Sequence, residues 1–182
     1  VAEGRPTPLV SKLYSLYYKI DTLLDSYTLL PQRGSVFSEE GSRRRFKVSR
    51  FDHTAHKVFF EYEAAHKATD NFTVPPYVQD ALSAVYVLRS IPLKGGDRMT
   101  MPVTDNGTNY KIQVDVGAAE RLKTPFGEAS AWKLRLAISD AAGKPQGRNI
   151  AMWISDDPRR LPMKLQAELP VGSFNLNLRE AR

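Results

Sequence analysis

Two adjacent carboxylates, Asp156-Asp157, stand just ahead of Pro158-Arg159-Arg160 and are the first residues whose types invite a chemical reading. Paired carboxylates can run acid–base hydrolysis when they face each other about 5–10 Å apart across a cleft. Neighbouring residues of a strand or turn point apart, so these two do not form such a pair by themselves. Their expected work is local: an Asp before a turn accepts backbone N–H bonds, and the proline fixes φ. Asp80, Ser83 and Arg89 form a second constellation, at helical spacing. Asp80 in a first turn would meet the positive end of the helix dipole, and Arg89 in the last turn the negative end. The sharper alternative is a buried network from Arg89 to Asp156 or Asp157. Ser83 inside a helix would bond to a backbone carbonyl. Trp153 falls on the face opposite Ile150, Met152 and Ile154, so it is either covered by another element or exposed for binding. With Asp80, Ser83, Arg89, Asp156, Asp157 and Arg160 it completes the candidate ligand-binding set.

Other chemistries find little to use. There are three histidines, His53, His56 and His66. A metal centre needs several of them to converge with a carboxylate. An extended strand between His56 and His66 would hold them about 30 Å apart. The chain has no cysteine, which excludes thiolate metal sites, disulfides and cysteine nucleophiles. There is no Gly-x-Ser-x-Gly elbow, and Lys94-Gly95-Gly96-Asp97 lacks P-loop spacing. No metal and no cofactor is expected, and the reading leans away from an enzyme.

At 182 residues, with a hydrophobic share of 42% and a charged share of 25%, the chain is expected to form a single globular domain. The net charge is +6, with 26 Lys+Arg against 20 Asp+Glu. Such a balance favours acidic partners. The densest run is Arg43-Arg44-Arg45, followed by Lys47 and Arg50. Because the charge is dispersed, nucleic acid is disfavoured as a partner. No apolar stretch reaches the length needed to span a bilayer as a helix.

These residues must be positioned mainly by strands. Apolar and polar residues alternate over Tyr18–Asp25, Gln32–Glu39, Ser42–Phe51, Lys57–Ala64, Met99–Thr104, Thr108–Val116, the stretch around Trp132–Ile138, Asn149–Ser155 and Met163–Leu169. Asp105-Asn106-Gly107 marks a hairpin. Val78, Ala81, Leu82, Val85 and Leu88 recur at three- and four-residue intervals and predict one principal helix over Pro76–Ser90. Residues 1–8 read as a loose N-terminal segment, and Leu9–Leu16 as a short helix or an irregular apolar lead-in. The expected fold is mainly β: an antiparallel, strongly curved sheet or incomplete half-barrel wrapped on that helix. A flat sheet packed on one helix is the second choice.

Two stretches are distinctive together. One runs from Val78 to Arg89 with Pro92-Leu93 and Gly95-Gly96 beyond; the other runs from Met152 through Asp156-Asp157-Pro158-Arg159-Arg160 to Pro162, ending in Pro170–Phe174. With Asp25, Leu30-Pro31, Glu40-Gly41 and Phe51-Asp52, they make the chain resemble, over about residues 10–180, the bacterial envelope family known as domain of unknown function 3108. Its motif residues match at Asp80, Ser83, Arg89, Ser155, Asp156, Asp157, Arg160 and Pro162. The resemblance implies a periplasmic or envelope-associated protein of a Gram-negative bacterium, exported on a signal peptide not present in this chain. It also implies an N-terminal strand hairpin that this chain is expected to lack. It supplies no catalytic residue or ligand.

The leading expectation is therefore a non-enzymatic envelope binding module that holds a lipid or other apolar ligand in the concave sheet. The alternative is a binder of anionic glycan or cell-wall polymer through Arg43, Arg44, Arg45, Lys47 and exposed aromatics. A hydrolase using Asp156 and Asp157 is third.

Overall fold

The computed structural model describes residues 1–6, 15–124, 127–169 and 172–181. The chain is mainly β, with 64% strand and 6% helix. In chain order the strands are β1 (Ala2–Gly4), β2 (Leu16–Leu24), β3 (Pro31–Glu40), β4 (Arg43–Asp52), β5 (Lys57–Glu63) and β6 (Lys67–Thr73). Helix α1 (Ala81–Ser90) follows, then β7 (Arg98–Asp105), β8 (Thr108–Thr124), β9 (Gly127–Asp140), β10 (Arg148–Ser155), β11 (Pro162–Leu169) and β12 (Gly172–Asn177). They form two six-stranded sheets, β1 to β6 in order and β7 to β12 in order, so within each sheet every strand neighbours the next in sequence. The ladders that join β1 to β6 and β8 to β12 are antiparallel. Short connections permit nothing else, since parallel pairing needs long crossovers. Neither sheet closes into a barrel among the described residues.

Contacts group the residues into two compact units. The first comprises Val1–Ala84 with Pro102–Asn109; the second comprises Val85–Met101 with Tyr110–Arg182. In the first unit, Phe51, Val58, Val74 and Val78 form a buried cluster with Phe72 against it. Phe51, Val58 and Phe72 lie directly opposite one another on β4, β5 and β6, so alternation puts all three on one face. In the second unit, Val114, Val116, Leu134, Ile150, Met152 and Ile154 are buried on one face of the sheet. The intervening residues occupy the other face.

Several expectations change. The helix starts at Ala81 and not at Pro76, because Tyr77 adopts φ 58° and Gln79 bridges to Val103 in parallel fashion. Tertiary pairing of Gln79 wins over the helix-starting tendency of the prolines. Ala2–Gly4, read as part of a loose segment, pairs with Gly4 opposite Tyr18. Lys67–Thr73 forms a strand that polar composition hid; it is an exposed edge, paired only to β5. The stretch from Thr108 to Thr124 is one continuous strand, interrupted by a bulge between Val116 and Ala119. Gly117 sits in that bulge, where an added β-carbon would stand 3.0 Å from the Lys133 carbonyl oxygen. The lead-in expected over residues 9–16, with Tyr14, lies almost wholly outside the described residues, as do Pro125-Phe126 and Pro170-Val171.

Candidate functional site

The residues singled out by type fall into three separate places. Asp80 and Ser83 form a reciprocal cap at the start of α1. The Ser83 amide donates to Asp80 Oδ1 (2.7 Å) and the Asp80 amide donates to Ser83 Oγ (2.8 Å). Asp80 is thus the N-cap residue, one position before the first turn in which it was expected, and the exchange satisfies two orphan helix donors. Its second carboxylate oxygen accepts the Thr22 hydroxyl (2.7 Å). A cavity of about 30 Å³ lies beside it, lined by Gly34, Val36, Lys47, Asp80, Thr104 and Asp105 among others. That is room for no more than about two waters. Burial pushes the Asp105 carboxyl above its ordinary pKa, while Lys47 pulls it down and Asp80 pushes the same way as burial.

Arg89 does not pair with Asp156 or Asp157. Its Nε donates to the Arg160 carbonyl (2.7 Å) and its Nη2 to the Arg159 carbonyl (3.1 Å), with the guanidinium 5.1 Å from the Tyr86 ring centroid. The sharper network is therefore overturned in its partner: Arg89 clamps the main chain of the turn. Asp157 Oδ1 accepts the amides of Arg159 and Arg160 and the Ser155 hydroxyl. Asp156 Oδ1 instead accepts the Trp132 indole N–H (2.7 Å). The two carboxylates serve different neighbours, as the local reading of a turn requires. Arg160 adopts φ 47°, and its Nη1 is buried without a hydrogen-bond partner.

Trp153 is covered, with 4% of its surface exposed. It packs with Ala131, Ala151 and Leu122, and its indole N–H donates to Glu120 Oε1 (2.5 Å). Lys133 and Lys164 lie directly opposite it on β9 and β11. Their ammonium groups stand 5.0 and 4.8 Å from its ring centroid. Cations over an indole face are attracted by its quadrupole.

Among the described residues the histidines join no cluster of three or more metal-ligating side chains. His53 Nε2 lies 2.7 Å from the Pro31 carbonyl oxygen and its ring stacks on Phe51. His56 and His66 flank β5 at its two ends.

Charge divides unevenly between the two units. The first carries eleven Lys+Arg against eleven Asp+Glu. The second carries fifteen against nine, so the whole +6 belongs to it. Among the described residues the first unit also holds six of the seven ion pairs. The basic run proposed for polyanions is largely spoken for. Arg44 pairs with Glu39 (3.1 Å), Arg45 with Glu40 (3.2 Å) and Arg50 with Glu61 (2.8 Å), while Lys47 donates to Asn106. Glu40 is held below the usual carboxylate range, first by the Tyr18 hydroxyl and then by Arg45.

In the second unit Lys111, Lys133, Arg135, Arg148 and Lys164 make no ion pair with any described residue. Lys111 and Arg148 line a cleft of about 340 Å³ with Gln113, Ile138, Ser139 and Asn149. Types alone did not find these residues. The usable signal was alternation: Lys133 and Arg135, like Lys164 and Gln166, share one strand face with Trp153.

Comparison with curated proteins and with solved structures finds no match. A family model described as a protein of unknown function (DUF3108) matches residues 1–179, so the chain belongs to that family.

Proposed function

We propose that this chain is a non-enzymatic binding module of the bacterial envelope whose ligand is an anionic glycan or cell-wall polymer, seated on the second unit. One observation carries the reading: the entire net charge lies in that unit, where Lys111 and Arg148 line a cleft and make no ion pair with a described residue. Unneutralised cations attract acidic ligands, whereas cations already paired across strands present little net field. The cleft adds the side-chain amides of Gln113 and Asn149, which already donate to Asp115 and Glu168, and an apolar wall from Leu136 and Ile138, a lining that suits a sugar ring as well as its charge.

The apolar-cargo reading, with its incomplete barrel wrapped on α1, draws less support. The cavity beside Asp80 holds about 30 Å³ and its walls include Asp21, Lys47 and Asp105. An acyl chain needs a larger and drier space. A hydrolase at Asp156 and Asp157 draws less still, because each carboxylate is engaged with a different partner.

Retention of the intact chain on immobilised polygalacturonate, against neutral dextran, tests the proposal. Retention should fall with added salt. Lys111→Gln with Arg148→Gln should weaken it, while Arg43→Gln with Arg44→Gln should leave it nearly unchanged. Equal retention on dextran, or loss only with the Arg43 and Arg44 changes, would refute the assignment.

A further inference from the structure

The cleft does not stand alone on its sheet. Lys111 lies opposite Ser139, and Asp115 opposite Arg135, on the β8–β9 ladder. Arg135 lies opposite Ala151, and Lys133 opposite Trp153 and then Lys164. Directly opposed residues of an antiparallel ladder share a face. Lys111, Arg135, Lys133, Trp153 and Lys164 therefore stand on one face of the second sheet. From Lys111 to Lys164 is three strand spacings, about 14 Å, and from Ser139 to Lys133 about 20 Å along the strand. The cations thus trace an oblique path far longer than one charged group. Acidic side chains near it are engaged: Asp115 with Arg98 (2.5 Å) and Glu120 with the Trp153 indole. Glu168 accepts from Asn149 (2.7 Å).

We infer that the ligand is an extended acidic polysaccharide running obliquely across β8 to β11, from the Lys111–Arg148 cleft to the Lys133–Trp153–Lys164 row. This rests on the polyanion reading above and adds to it a length requirement and a second contact point. Charge complementarity selects the occupant: a chain bearing one carboxylate per sugar carries charge along its whole length, as the cations on β8, β9 and β11 do. The row also contains its own reporter, because a polyanion that draws the Lys133 or Lys164 ammonium off the indole changes the environment of its N–H.

Galacturonate oligomers of two, four and eight units, titrated into the isotopically labelled intact chain, test it. The octamer is expected to bind at least about tenfold more tightly than the dimer, through linkage of successive contacts. The Trp153 indole N–H resonance is expected to move with the octamer and stay still with the dimer. Lys133→Gln with Lys164→Gln keeps apolar stems over the indole, and an unchanged circular dichroism spectrum with a cooperative thermal transition establishes that this variant is folded. It is expected to abolish the gain with length while leaving dimer binding intact. Equal affinity for all lengths with a silent Trp153 resonance would overturn the extended path and leave the cleft standing. An absence of binding at any length in low salt would instead sink the polyanion reading itself. Tighter binding of a single-stranded oligodeoxynucleotide with the same number of charges would replace the polysaccharide as occupant.

Discussion

The Asp80 carboxylate occupies the space that a side chain on Gly34 would fill: a β-carbon built there would stand 2.7 Å from Asp80 Oδ2. That same oxygen accepts the Thr22 hydroxyl, while Oδ1 caps α1. The sheet residue opposite the cap must therefore be glycine for the helix to be tied down at its first turn. Asp80→Ala is expected to cost about 1–3 kcal/mol, combining a lost N-cap with an unpaired hydroxyl. Gly34→Ala should cost about 1–2 kcal/mol by displacing the carboxylate. Urea denaturation of both variants and their double mutant checks this. The two costs should be strongly non-additive, because they break one interaction.

Arg89 fixes the turn that follows β10 through two main-chain carbonyls rather than through the carboxylates beside them. A planar guanidinium fork makes both bonds at once, which an ammonium does not. Arg89→Lys is expected to recover only part of the roughly 1–3 kcal/mol lost in Arg89→Ala. Amide hydrogen exchange should localise the loosening to residues 156–161. Loosening spread evenly over the sheet would contradict the clamp.

The pH dependence of the first unit follows from the opposed directions of its carboxyls. Asp105 is held above its ordinary pKa, chiefly by burial, so the folded chain keeps this proton more tightly than the unfolded chain. Its contribution is most favourable at low pH and declines as pH rises from the unfolded value through the raised folded one. Glu40, and Asp25 with its Thr28 amide and hydroxyl bonds, are held low. Their stabilisation is present above the ordinary carboxylate pKa and is lost as pH falls through their folded values. Asp105 keeps more than a third of its surface exposed, so Asp105→Asn should be only slightly more stable than wild type near about pH 7 and lose that small advantage below about pH 4. Denaturation across that range reads the difference; a destabilised Asn variant at neutral pH would show that the Lys47 attraction outweighs burial.

Trp153 contributes packing and one hydrogen bond. Trp153→Phe should cost about 1 kcal/mol by leaving the Glu120 carboxylate to water. Trp153→Ala should cost about 3–5 kcal/mol because it opens a hole over Ala131 and Ala151. Thermal denaturation separates the two.

Much of the strand pattern was readable because β-rich segments with one buried face alternate visibly, as at Trp132–Ile138 and Ile150–Ile154. The hairpin at Asn106-Gly107 was equally plain, with both residues at positive φ. What the residue order concealed was tertiary. Asp80 became a cap because Gln79 pairs with Val103, a bond across more than twenty residues that no local propensity contains. Arg43–Lys47 looked available until the cross-strand register set Glu39 against Arg44 and Glu40 against Arg43. Conversely, Lys111, Lys133 and Lys164 are scattered in sequence and meet on one face only through the β8–β11 ladders.

The most direct test of the central claim is a residue-resolved amide footprint of the intact chain with and without a galacturonate octamer. Shifts or protection are expected only on the Lys111, Arg135, Lys133–Trp153–Lys164 face and in the Arg148 cleft, with the Arg43–Lys47 segment unchanged. A footprint centred on Arg43–Lys47 or on the cavity beside Asp80, with that face silent, would contradict it.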